Sequence, residues 1–231
     1  WLEKMLLLTA ATFVAAAAAA AVRGGGDACT FDKDVLYTHE RVLACFNAVP
    51  FNATASRSTL RNLAKAMQTF TFLDTATRIA EPRFAPSIDL LATLDAMQHV
   101  SFGSDFQFQQ ALRRVYLQLH DAHTNYYAPR CYMTFTFYQP LSLLQYVRAD
   151  GTVTVEVAPL VDANVGDYYL REHGVDIGEY AGAVVDRIDD VDAHTYLRAF
   201  AHNHTGLAKD PITRYNILFA IQPPSREFAK P

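Results

Sequence analysis

The chain is short of charge and lacks most of the motifs that mark common chemistries. Aspartate, glutamate, lysine and arginine make up 19% of its 231 residues, and the formal net charge is −4. No basic run is present, and Arg113-Arg114 is the notable basic pair inside the region read as folded. This argues against nucleic acid as the main partner, because binding a phosphate backbone needs a concentrated positive field. On a helix this pair falls opposite the apolar stripe and reads as a solvated face. Cysteine occurs only three times and never in a close pair, which excludes zinc-ribbon and Cys-x-x-Cys redox sites. The His-Glu-x-x-His of zinc peptidases and the Gly-x-Ser-x-Gly elbow of α/β-hydrolases are both missing. No internal repeat occurs, and the alanine run Ala15 to Ala21 is the one low-complexity tract.

What is present suffices for a globular protein, since 51% of the residues are hydrophobic. The single long apolar run, Met5 to Ala21, follows Lys4 and ends in small residues, so residues 1–21 read as a cleaved secretory signal peptide. Its rival is a transmembrane anchor, but the run is mostly weakly apolar alanine and no basic stop-transfer cluster follows. Trp1-Leu2-Glu3 reads as sequence upstream of a start at Met5. Three cysteines suit an oxidising compartment, with Cys29 and Cys45 placed to close a short loop and Cys131 left over. The sequons Asn52-Ala53-Thr54 and Asn203-His204-Thr205 agree with secretion. The expected location is therefore extracellular, with no membrane association once the leader is removed.

The expected fold class is α+β, with a helical region over 22–130 followed by a β-rich region over 131–231. Leu60, Leu63, Ala64 and Met67 make one helical stripe with Ser58 as N-cap. Pro86-Ser87 opens a second helix carrying Leu91, Leu94 and Met97. Phe70, Phe72 and Leu73 lie between these helices and are expected to pack them together. Ser104 or Asp105 caps a third helix, on which Leu112, Val115, Tyr116 and Leu119 recur at helical spacing. Met133, Phe135 and Phe137 then alternate with Thr134, Thr136 and Tyr138, as in a half-buried strand. Asp150-Gly151 signals a hairpin between Leu141–Val147 and Val153–Val157. A helix from Asp167 to His173 ends at Gly174, and a strand, an acidic turn and a helix capped by Asp192 follow. That helix gains an apolar side from Tyr196, Leu197 and Phe200. Asp210-Pro211 opens a last helix through Ile212, Tyr215, Leu218 and Phe219. The end at Pro231, soon after Pro223-Pro224, reads as a truncation.

Between the third helix and the expected strand lies Leu119-His120-Asp121-Ala122-His123-Thr124-Asn125-Tyr126. A short junction between rigid elements is where a side chain can be aimed into a cleft. Asp121-Ala122-His123-Thr124 resembles the His-bearing segment of the tail-specific (C-terminal-processing) serine protease superfamily, in the branch related to the chlamydial protease-like activity factor. The likeness runs from about Cys29 to the end and is sharp only in that segment. It implies that His123 is the general base of a serine endopeptidase acting on a polypeptide substrate without a cofactor. The serine and its acidic partner would lie beyond Pro231, so this stretch alone is expected to be inactive. The Gly182–Asp192 segment and its following helix resemble part of a PDZ-like module, which that superfamily places before its catalytic core.

Other readings stand beside this one. A histidine at a helix-to-strand turn is often structural, its ring bonded to backbone groups. Asp121 can orient a histidine or bond the backbone at the helix terminus. Tyr126 and Tyr127 fit cleft-wall packing or substrate contact. Many members of the superfamily use a serine-lysine dyad, in which the related histidine is not the base. His120, Asp121, His123, His202 and His204 supply metal-ligand chemistry without a recognised spacing, and no metal site is assigned. A non-catalytic, secreted peptide- or protein-binding module on the same scaffold is the rival to the enzyme. The sequence leaves the oligomeric state open.

Overall fold

Side-chain caps decide where most helices begin. The structure, a computed structural model, describes residues 29–32, 35–79, 86–135, 137, 140–160, 162–206 and 208–220. Residues 1–21, expected to be a leader, and the C-terminal residues 221–231 lie outside these. Helix α1, His39–Asn47, starts where Thr38 accepts from the Arg41 amide, and it buries Val42 and Phe46 one turn apart. Helix α2, Ala53–Met67, starts at Asn52, whose side chain accepts from the Thr54 and Ala55 amides. Ser58 is thus an exposed residue inside α2 and not its cap. The short α3, Leu73–Thr77, leads to α4, Leu90–Met97. Helix α4 begins at Asp89, which accepts from the Ala92 amide, and not at Pro86-Ser87. Ser87 instead accepts from the Ile79 amide. The buried face of α4 is Leu90, Leu94 and Met97, with Leu91 only half-buried. Helix α5, Asp105–Leu117, is capped by Ser104, which also donates to Asn47 at 2.7 Å and so ties α5 to the end of α1.

Leu60, Leu90, Leu94, Phe108 and Leu112 form the centre of the helical core, each at most 1% exposed. Burying one such side chain stabilises the fold by about 1.5–3 kcal/mol. Phe70 and Leu73 pack against this core, whereas Phe72 is exposed. A second cluster joins Val42, Phe46 and Tyr132, with Phe31, Phe106, Phe135 and Phe137 around them. The Cys29–Cys45 disulfide fastens this corner, and Cys131 carries an exposed thiol.

That second cluster corrects the strand expected after the junction. Arg130–Met133 is a 3-10 helix, and Met133 is exposed. Neither Phe135 nor Phe137 belongs to a strand. Phe135 meets Phe31 edge-on at 4.7 Å and Phe46 at 5.5 Å between ring centroids. The alternation arises from aromatic rings converging on one cluster, a geometry that such pairs favour without any backbone ladder.

The rest of the chain mixes helices with small sheets. Strands β1, Leu143–Val147, and β2, Val153–Val157, pair antiparallel with Val147 opposite Val153. Their connection uses Gly151 at φ 82°, with the Asp150 carboxylate accepting from the Thr152 amide. Helix α6, Ala163–His173, starts at the Asp162 cap, earlier than the expected Asp167, and ends at the left-handed Gly174. After the 3-10 turn Ile177–Tyr180, residues 182–185 run beside β2, bonding Val157 and Val155. Strands β3, Arg187–Ile188, and β4, Val191–Asp192, flank Asp189 and Asp190, both at positive φ, as a two-residue hairpin turn requires. Asp192 caps α7, Ala193–His204, and α8 spans Pro211–Ala220. Val155, Ile188, Ala193 and Leu197 form a third core, covered by Tyr196, Tyr215, Leu218 and Phe219. Ile212, expected on that face, is 68% exposed, while Arg214 is wholly buried. The architecture is α+β, and its latter part is mixed and not β-rich.

His194 links three elements here. Its Nε2 donates to the Val153 carbonyl at 3.2 Å, and its Nδ1 meets the Tyr215 hydroxyl at 2.9 Å.

Candidate functional site

The junction after α5 is built by one carboxylate. Helix α5 closes at Leu117, and the chain leaves it through His120 at φ 48°. The amide of His120 donates to the Leu117 carbonyl and that of Leu119 to Tyr116. Asp121 then accepts from the His123 amide at 2.9 Å and from the Thr124 hydroxyl at 2.7 Å. Asn125 donates its side-chain N–H to the Ala122 carbonyl at 2.6 Å. This is the local side-chain-to-backbone chemistry that Asp, Thr and Asn favour in turns. Partial burial pushes the Asp121 carboxyl up, but the bonds from His123 and Thr124, with the charges of Lys209 and His123, bring it below its ordinary value.

The turn holds His123 outward. Its side chain is 97% exposed, and Nδ1 stands 3.7 Å from the Asp121 carboxylate, beyond hydrogen-bond distance. Asp121 therefore fixes the backbone of His123 more firmly than its ring. Tyr126 turns inward, donating to the buried Gln109 side chain at 2.5 Å and lying 5.8 Å from the Tyr116 ring. Burial, followed by the Asp105 charge, pushes its phenol up. Tyr127 is exposed.

His120 goes the other way. It is 6% exposed, its Nδ1 has no hydrogen-bond partner among the described residues, and its ring is bonded to the Thr205 backbone. Burial first, then the charges of Arg214, His202 and Lys209, lowers its pKa from 6.5 to about 4. Arg214 donates to the carbonyls of Ala208 and Lys209, and its Nη2 lies 3.2 Å from His202 Nδ1. Lys209 donates to the Leu119 carbonyl. Gly206 lies against Leu117 so closely that a Cβ there would sit 2.5 Å from the Leu117 carbonyl oxygen.

The two histidines of the junction are thus separated by function of place: His123 faces solvent and His120 faces a basic seam. Sequence reasoning missed Lys209 and Arg214. The only available signal was a basic pair flanking Asp210-Pro211, and such pairs normally lie on a solvated face. Among the described residues, no group of three or more His, Cys, Asp or Glu is arranged to hold a metal ion. Arg114 is exposed as expected, whereas Arg113 is half-buried and burial lowers its pKa. No described helix is long and apolar enough to cross a membrane.

No family model, no curated protein and no solved structure matches this chain.

Proposed function

We propose that the chain is the N-terminal part of a secreted serine endopeptidase in which His123 is the general base. The observation that carries this reading is a fully presented imidazole on a turn that Asp121 fixes through the His123 amide and the Thr124 hydroxyl. A base must reach a serine hydroxyl through one ring nitrogen while a neighbouring acid favours the cationic form. His123 has its Nδ1 on the side of the Asp121 carboxylate, which leaves Nε2 open to a serine supplied from outside the described residues. His123 would take the serine proton as the oxygen attacks a peptide carbonyl, then return it to the leaving amine. The segment from β1 to α7 is the PDZ-like portion in this reading. Its hairpin, the strand-like stretch 182–185 and a following capped helix support that comparison at the level of element order.

A specific observation keeps the binding-module reading alive. Among the described strands β1 pairs only with β2, and its Tyr146 and Val147 are 47% and 71% exposed, which suits the addition of a peptide strand with apolar side chains. The two readings part in one experiment. Protein expressed from the full transcript is compared with its His123→Ala variant on an unfolded polypeptide substrate. The protease reading expects cleavage in the parent and a loss on the order of 10³-fold or more in the variant. Cleavage indifferent to His123 would reject its role as base, and a parent that binds without cleaving would favour the module. Residues 1–231, in which no serine nucleophile is assigned, are expected to be inactive alone.

A further inference from the structure

We propose that the seam between α5 and the α7–α8 pair is an acid-opened latch, in which protonation of His120 and His204 drives the two sides apart. The inference does not rest on the protease reading. On the α5 side stand Arg114 and His120; on the other stand His202, His204, Lys209 and Arg214. Each histidine faces bases. His120 is acted on by Arg214, His202 and Lys209, and His204 by Arg114.

The hydrogen bonds require neutral rings. Arginine has only donors, so His202 Nδ1, 3.2 Å from Arg214 Nη2, must present its lone pair. His202 thus serves as an acceptor for a guanidinium that is 0% exposed. At His120 a proton on Nδ1 would be a buried donor without an acceptor among the described residues. Among the described residues, Asp121 acts on Lys209 and Asp210 on Arg214. Both are already used in turn and cap bonds, Asp121 to His123 and Thr124, Asp210 to the Thr213 amide. They cannot swing to neutralise an imidazolium without undoing those turns.

The direction follows from linkage. His120 titrates near 4 in the closed seam against 6.5 when free. Protons are therefore taken up on opening, and closure weakens as pH falls from about 6.5 towards 4. His120 alone shifts the opening equilibrium on the order of 10- to 100-fold by about pH 4.5. Burial and Arg114 also lower the pKa of His204, which adds in the same direction.

Hydrogen exchange of the full chain at pH 7.5 and 4.5, expressed as protection factors, tests the latch. The expected result is a loss on the order of 10-fold or more in residues 205–220, with α2 and α4 retaining their protection. Retained protection in 205–220, or simultaneous loss everywhere, overturns the proposal. The variant His120→Asn, His204→Gln keeps a residue tolerant of positive φ at 120 and leaves His202 as the acceptor for Arg214. It should lose the acid response; an unchanged response overturns the proposal. Should that variant fail to fold, His204→Gln alone must shrink the acid loss, and the local-against-global comparison in the parent still decides.

Discussion

Replacing Gly206 by alanine tests the packing of the seam at its tightest point. The new methyl would lie 2.5 Å from the Leu117 carbonyl oxygen and 2.8 Å from both the Cα and Cδ2 of Leu117. The first distance is roughly 0.8 Å inside the ~3.3 Å at which carbon and carbonyl oxygen ordinarily meet. Two of the three obstacles are backbone, so a rotamer change cannot relieve the clash and the two sides must separate. Overpacking of this kind costs about 1–3 kcal/mol. The loss of glycine's freedom in the unfolded chain offsets about 0.4–1 kcal/mol of that. A net destabilisation of about 1–2 kcal/mol, at a urea dependence of about 2 kcal/mol per molar, lowers the midpoint by roughly 0.5–1 M. Gly166→Ala is the internal control. Its methyl would lie as close, 2.6 Å, but to Leu160 Cδ2, the tip of a 37% exposed side chain that can rotate away. Inside α6, alanine also outperforms glycine by up to about 1 kcal/mol. Urea unfolding should therefore move the two midpoints in opposite directions. A Gly206→Ala protein as stable as its parent would refute the packing described for the seam.

Two further perturbations address the helical region. Tyr126→Phe removes the donor to Gln109, which is 6% exposed, and should destabilise by about 1–3 kcal/mol in chemical denaturation; no change would mean that Gln109 finds another donor. Reducing the Cys29–Cys45 bridge, whose cysteines are 16 residues apart, should cost about 3 kcal/mol. Thermal unfolding with and without reductant, each repeated on Cys131→Ser, would show this, and equal midpoints would argue against the bridge.

Local chemistry made part of the fold legible from sequence. Gly174, Asp192 and the Asp150-Gly151 turn act within a few residues of themselves and lie where that local chemistry predicts, and of Ser104 and Asp105 it is Ser104 that caps its helix. Asn52 against Ser58, and Asp89 against Ser87, were misplaced because several capable residues lie within a turn or two. Tertiary packing decides which one takes the amides. The Met133-to-Phe137 alternation misled for a related reason, since aromatic clustering and a half-buried strand share a period of two. At the junction, the turn-forming residues were readable, but the opposite orientations of His120 and His123 were not. His123 is set outward by the local Asp121 turn, whereas the buried His120 meets Thr205, Lys209 and Arg214, which are remote in sequence and carry no motif.

The ring of His194 has a mechanical corollary. With one nitrogen on the carbonyl of β2 and the other on a hydroxyl of α8, it acts as a crossbar, and its own helix is the bracket. A displacement of the hairpin is passed to α8 through two polar bonds without any compliant loop between them. Strand β2 and the helix bearing Arg214 are in that sense coupled through one side chain.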